Sequence, residues 1–324
     1  MNSHSGHSTQ RPIILIVGPT AGGKTSLSVE LALRLPGGGE CISADSMQIY
    51  RGMDIGTAKP TDEERRGVPH HLLDVADPST DGFTVAEWRD RADEAVADIR
   101  RRGLWPIVVG GTNLYVRALL EGVFEGPAAD PAIRAELEAF DLGKLRSMLE
   151  ELDPVSAERI HRNDRRRTIR ALEVHRLSGE TLSSQQQQWS EVIQGRSDVR
   201  LIGLDWPVAE VNSRMNARVK EMIKAGFLDE VRGLIENQGL GRQAREAVGY
   251  REMADHILEG ADFDHAVEQV RIRTRRLGKQ QRTWLRRLKL VPDSLWLHPE
   301  GLSVEALTEK VIEWLSSAEN SNIV

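Results

Sequence analysis

Residues 18–25 read GPTAGGKT, a Gly-x-x-x-x-Gly-Lys-Thr spacing whose chemistry is the grip of phosphate. Gly18, Gly22 and Gly23 let backbone amides turn inward around phosphate oxygens, and a helix starting at this point adds partial positive charge. Pro19, Thr20 and Ala21 complete the cradle. Lys24 brings a mobile full charge, and the Thr25 hydroxyl can serve as a ligand for a magnesium ion. The loop does not fix the reaction, because nucleotide hydrolases, small-molecule kinases and phosphate-handling transferases share it. A hydrolase that drives motion would show an apolar strand ending in an acidic magnesium-binding residue. The apolar residues 106–109 run instead into Gly110-Gly111-Thr112.

Three other positions stand near strand ends or on a helix. Asp45 stands at the end of the second expected strand, where sheet enzymes place ligand groups, or it caps the next element or pairs with a surface cation. Thr112, a loop threonine after two glycines, reads most simply as a helix cap. Arg218 lies in a helical stretch and by itself reads as a solvated arginine. Tyr115 could stack on a base or pack in the core. The single cysteine, Cys41, sits in a strand-like stretch and reads as a buried, inert thiol.

These residues need a scaffold that brings strand ends together. The continuous apolar run 12–17 predicts a strand buried on both faces, and residues 25–35 a helix ending before Pro36. Further strands are expected at 40–45, 71–75, 104–109 and 200–206. Thr84 and Glu87 have the spacing of a capping box opening a helix to about Arg102. Strand and helix alternation implies a parallel sheet covered by helices. Residues 128–195 show helical stretches and no strand. The expected fold class is therefore α/β: a P-loop NTPase-like parallel sheet core, residues 12–126 and 198–324, with a helical insertion domain at 127–197. Residues 1–11 read as a disordered tail.

Composition narrows the partners. The 324 residues carry a net charge of −6, which argues against a general nucleic-acid coat. Yet residues 162–170 hold five arginines, and residues 271–289 hold nine basic residues and no acid. Such concentration suggests a defined polyanion site. On a helix, Arg271, Arg275, Arg282, Arg286 and Lys289 fall within roughly a quarter of the circumference, with Leu277, Trp284 and Leu288 nearly opposite. This predicts a cationic stripe for RNA phosphates and makes Trp284 a core anchor. No apolar run approaches the roughly 20 residues of a membrane helix. One cysteine fits a reducing cytoplasm. A monomer is the expectation, since no coiled-coil or exposed apolar stripe is legible.

With the loop, the stretches ISADSMQIYRGMDIGTAKP (42–60), PHHLLDVADP (69–78), VVGGTNLYVRALLEG (108–122) and AVGYRE (247–252) together resemble the tRNA dimethylallyltransferase family. The likeness runs in order from about residue 12 to residue 290. It implies transfer of a dimethylallyl group from dimethylallyl pyrophosphate to the exocyclic amine of the adenosine 3′ of the anticodon in tRNA, releasing pyrophosphate, with Mg2+ as cofactor. The loop, residues Gly18 to Thr25, would then hold pyrophosphate rather than a nucleotide, together with Arg218. Asp45 becomes the general base, and Thr112 lies near the substrate amine. Asp45, Ser46, Met47, Gln48 and Thr112 would meet the target base and its neighbours; a glutamine suits an adenine edge.

The resemblance also implies contact with the tRNA anticodon stem-loop at Arg134; at Arg166, Arg167, Thr168, Ile169 and Arg170; at Glu246, Ala247, Val248, Gly249, Tyr250 and Arg251; and at Lys279, Gln280, Gln281, Arg282, Thr283, Trp284, Leu285 and Arg286. Glu246 departs from the uncharged or basic residue usual there, and a carboxylate beside RNA phosphates would repel. The adenine must be splayed out to reach Asp45. His70 and His71 match a family stretch, without a chemical role that the sequence supplies. A kinase reading leaves the basic stretches unexplained, and an RNA-binding module without chemistry leaves Asp45 and Thr112 idle.

Overall fold

The computed structural model describes residues 11–123, 126–185 and 196–321. The expected tail, apart from Arg11, lies outside them, as does most of the polar run 185–188.

The chain divides into two compact units, residues 1–120 with 192–324 and residues 121–191. The first is built on six parallel strands: β1 (Ile13–Val17), β2 (Gly39–Ala44), β3 (His70–His71), β4 (Trp105–Gly110), β5 (Val199–Leu204) and β6 (Leu295–Leu297), in the order β3-β2-β4-β1-β5-β6. All five residues of β1 are fully buried, as the unbroken apolar run requires; each such side chain stabilises by about 1.5–3 kcal/mol. Helix Lys24–Arg34 buries Leu27, Val29 and Leu31 against the sheet, beside Cys41 and Ile107. Burial pushes the Cys41 thiol up to about 12, so it is inert at neutral pH.

Helix Val85–Arg101 opens with the expected reciprocal cap: Thr84 Oγ1 accepts from Glu87 N, and Glu87 Oε2 accepts from Thr84 N, both at 3.1 Å. The strand expected at 71–75 stops after His71. Leu72 and Asp74 have φ of 62° and 58°, a left-handed backbone that no strand tolerates. Buried Lys59 holds that turn, donating to Asp74, Asp54 and the Tyr50 carbonyl. His71 has a partner of its own: its Nε2 lies 2.7 Å from Glu40, whose carboxyl the Arg102 guanidinium and His71 hold down at about 2. The sixth strand, three residues long, was too short to read from periodicity.

The second unit is helical: Pro131–Glu138, Leu142–Leu152, Pro154–Arg159, Arg165–Ser178 and Leu182–Gln185. Asp130, Asp141, Asp153 and Asp164 each cap a helix start through a side-chain oxygen, the residue type best suited to orphan amides. Leu137, Leu145, Leu149 and Leu172 form its core.

Among the described residues no helix is long and apolar enough to cross a membrane. The longest, Phe263–Leu288, belongs to the first unit. Its buried residues include Gly278, Gln281, Leu285 and Leu288, so the packed face is rotated from the one expected. Trp284 stands half-buried at its flank. The shift has a cause: a Cβ at position 278 would lie 2.2 Å from Met215 Cε. Glycine there admits the helix Val208–Lys224 at close range, and the contact face turns toward it.

Candidate active site

Parallel strands put every carboxyl end on one edge, and ligands of open α/β sheets sit there. β1 runs into the glycine-rich loop 18–25, β2 into Asp45, and β4 into Gly111 and Thr112.

In the loop, Ala21 and Gly23 have positive φ of 59° and 85°, and Gly22 N donates to the Pro19 carbonyl at 3.1 Å. Such alternation turns successive amides toward one centre. Two side chains hold the loop's carbonyls away from it. Arg214 Nε donates to the Ala21 carbonyl at 2.8 Å, and Trp206 Nε1 to that of Gly22 at 2.9 Å. The Arg214 guanidinium also lies over the Trp206 ring, 4.6 Å from its centroid. Helix Lys24–Arg34 has no side-chain cap on its first amides, which leaves them for an anion. Lys24 Nζ donates to the Gly18 and Pro19 carbonyls at 3.1 and 2.9 Å.

The electrostatics mark the same place. Burial, and then the nearby Arg218 charge, lower Lys24 to about 8, while Asp45 opposes the shift. Arg218 is half-buried, and its pKa is lowered by burial, with Glu64 opposing and Arg214 adding to the effect. Among the described residues no carboxylate is within ion-pair distance of Arg218. Two poorly solvated cations without a close protein counter-charge make a site for a polyanion.

This sets a pH dependence. The charged form of Lys24 is fully present below about 8 and is lost above it. The ratio of pyrophosphate affinity between the unaltered enzyme and Lys24→Met, measured by calorimetry, cancels the ligand's own ionisation; it is expected to be level approaching pH 8 from below and to fall by up to about tenfold per unit above it. A ratio that stayed level to pH 10 would mean that Lys24 does not hold the anion.

A second group of side chains gathers where β2 and β4 end as neighbours, Ala44 beside Gly110. Thr112 N donates to the Ala44 carbonyl at 3.2 Å. Thr112 Oγ1 accepts from Ser46 N at 3.0 Å and lies 3.3 Å from Ser46 Oγ. Asp45 Oδ1 accepts from Met47 N at 2.9 Å and from Gln48 N at 3.4 Å. Asp45 thus caps the turn with one oxygen, and Oδ2 has no hydrogen bond among the described residues. Gln48 is engaged: its Nε2 donates to the Thr57 and Ala58 carbonyls at 3.2 and 3.1 Å, and its Oε1 accepts from Ser43 at 3.2 Å. Here its amide braces the loop, leaving no free pair of groups for an adenine edge. Met47 packs against an apolar cluster. Tyr115 is a core residue, stacked on Trp88 at 4.5 Å.

The loop after Asp45 is anchored from below. Glu230 accepts from the backbone amides of Asp54, Ile55 and Gly56 at 2.9, 2.6 and 3.1 Å, and from Tyr250 Oη at 2.6 Å. Tyr250 is fully buried, as is Ala247 nearly so. Of residues 246–251 only Glu246 and Arg251 are exposed, and they face each other at 3.9 Å. On the long helix Lys279, Gln280, Thr283 and Arg286 are exposed, Arg282 and Trp284 half-buried, and Gln281 and Leu285 buried. Glu268 pairs with Arg271 and Arg275, Glu252 with Arg273, and Asp205 with Lys289. Acids outside the stretch therefore balance part of it, and the cationic surface shifts to Arg276, Lys279, Arg286 and Arg287.

In the second unit, Arg134 and Arg170 both bond the fully buried Glu173, at 2.8 and 2.6 Å. Thr168 and Ile169 are buried, while Arg166 and Arg167 are exposed. Sequence reasoning missed Trp206, Arg214 and Glu230. The spacing of Arg214 and Arg218, one helical turn apart, was a usable signal for the first of these arginines.

The sequence model of the IPP transferase family matches residues 48–288. A tRNA dimethylallyltransferase of Anaeromyxobacter dehalogenans is 45% identical over 305 residues, 93% of this chain and 97% of that protein. The crystal structure of the full-length tRNA isopentenylpyrophosphate transferase of Bacillus halodurans is 36% identical, with a TM-score of 0.70, covering 97% of this chain and all of that one. A eukaryotic dimethylallyltransferase acting on tRNA superposes with a TM-score of 0.78 at 27% identity, over 96% of this chain and 79% of that one. The glycine-rich loop, the strand order and these likenesses together place the chain in the IPP transferase family.

Proposed function

We propose that this enzyme, a prenyltransferase by family, transfers the dimethylallyl group of dimethylallyl pyrophosphate to the exocyclic amine of an adenosine 3′ of the anticodon in tRNA. The observation that carries the reading is geometric: Lys24 lies in the glycine-rich loop after β1, and Asp45, with Oδ2 free of hydrogen bonds among the described residues, and Thr112 follow the ends of β2 and β4 on the same edge of the sheet. Breaking an allylic carbon–oxygen bond leaves negative charge on diphosphate. The loop amides, Lys24 and Arg218 are set to stabilise it without reorganising. The adenine amine becomes acidic only as its new carbon–nitrogen bond forms, so a weak, well-placed base suffices. Asp45 Oδ2 takes that proton, while Thr112 and Ser46 fix the wall beside it.

The donor set fits magnesium. Among the described residues no cluster of three acids or histidines could cage a metal. Magnesium uses few protein ligands beside substrate phosphate and water, and Thr25 at the helix start would be one. Bound there, it would add Lewis-acid stabilisation of the leaving diphosphate.

One assay separates the alternatives. Purified protein with labelled dimethylallyl pyrophosphate and unmodified tRNA is expected to put label into RNA. Turnover of ATP without labelled RNA would support a kinase instead. RNA contact has its own measure. Replacing Lys279 and Arg286 together by alanine removes two exposed charges, and the slope of log affinity against log salt should become shallower by roughly 1.4–1.8. An unchanged slope would place the RNA elsewhere.

A further inference from the structure

Gln281 lies on the helix whose exposed side carries Lys279 and Arg286, yet it is only 7% exposed and points into the protein. Its Oε1 accepts from Thr20 N in the phosphate-binding loop at 2.8 Å. Its Nε2 donates to the Gly111 carbonyl, one residue before Thr112, at 3.2 Å. The partners fix the orientation of the amide, since a backbone N–H can only donate and a carbonyl can only accept. A single side chain thus joins the end of β1 to the end of β4, the two strand ends that carry the donor and the acceptor wall. Gly111 is adapted to it: a Cβ there would lie 2.7 Å from Gln281 Nε2.

We propose that Gln281 is a positioning residue for the transfer step, its buried amide setting the spacing between the diphosphate-holding loop and the Gly111–Thr112 wall. The proposal rests on the transfer reading above. It gives Gln281 a task distinct from RNA contact, on the opposite side of the helix from the exposed cations. Group transfer across a gap is steep in distance, because a displacement of about 1 Å can cost on the order of a hundredfold in rate.

The test uses the full chain with dimethylallyl pyrophosphate and unmodified tRNA, both saturating. Gln281→Leu is expected to lower kcat by about ten- to a hundredfold, with both KM values near those of the unaltered enzyme. Gly111→Ala drives the amide from its place without altering the helix, and should give the same split. Because both changes break one bridge, the double variant should be little worse than either alone. Gln281→Glu adds a signature that loss of packing would not produce. Its carboxylate still accepts from Thr20 but donates to Gly111 only when protonated. Its kcat, relative to the unaltered enzyme, should therefore rise as pH falls. Unchanged kcat in Gln281→Leu and Gly111→Ala, or a raised tRNA KM with kcat intact, or losses that add in the double variant, would overturn the proposal. A ratio for Gln281→Glu that is flat in pH would do the same. No labelled RNA from the unaltered enzyme would instead sink the transfer reading, and this proposal with it.

Discussion

Asp45→Asn should leave tRNA affinity nearly intact while single-turnover transfer falls by at least about a hundredfold, the lower range for a lost general base. The substitution is suited to the question. Asp45 Oδ1 accepts from Met47 N and Gln48 N, and the amide oxygen of asparagine can keep both bonds. The turn then holds its shape, and Ser46 keeps its bond to Thr112. What is lost is the second oxygen's ability to take a proton. Nearly normal turnover in Asp45→Asn would remove Asp45 from the chemistry and leave it a cap.

The second large effect is expected at Arg218. Arg218→Gln removes a half-buried charge that no carboxylate among the described residues contacts, so it orphans none of those acids and should not unfold the protein. Turnover should nevertheless fall by about a hundred- to a thousandfold, as for loss of one donor to a developing oxyanion. A second readout follows from the electrostatics. Arg218 helps to hold Lys24 down near 8. Without it Lys24 should stay charged to higher pH, so the pH at which pyrophosphate affinity begins to fall should move upward. A drop in turnover with that pH unmoved would mean that Arg218 acts at a distance from the loop. No drop in turnover at all would remove it from the donor site.

The parts of this site legible in the sequence are those whose chemistry is contiguous. Eight neighbouring residues make the loop, and their spacing alone predicts it. Asp45 and Thr112 could be placed at strand ends because β4 is an apolar run and β2 a short strand-like stretch. The residues that steady the loop were harder to read, because they act across the fold. Gln281 reaches Thr20 from 261 positions away, Arg214 reaches Ala21 from 193, and Trp206 reaches Gly22 from 184. Arg214 carries one local signal, its spacing from Arg218, whereas nothing local distinguishes Gln281 from other polar helix residues or Trp206 from any strand-end tryptophan. The long helix teaches the same lesson. Its apolar residues suggested a face through Leu277 and Trp284, whereas the contact face runs through Gly278 and Gln281. A glycine gives no hydrophobic signal, and a glutamine gives the wrong one. The turn at 72–75 was missed because left-handed backbone at leucine and aspartate is imposed from outside, by Lys59.

The strand order has a consequence of scale. β1 and β2 are not neighbours, because β4 lies between them, so their tips stand about 10 Å apart at ordinary interstrand spacing. The intervening strand is bare at its tip. A side chain at 110 would run into the Ala44 carbonyl at 2.2 Å, and one at 111 would meet Gln281. The middle strand therefore works as a ruler with its last marks left blank: it spaces the two flanking tips, and its missing side chains leave room for the Ala44 backbone and the Gln281 amide to close in beside it.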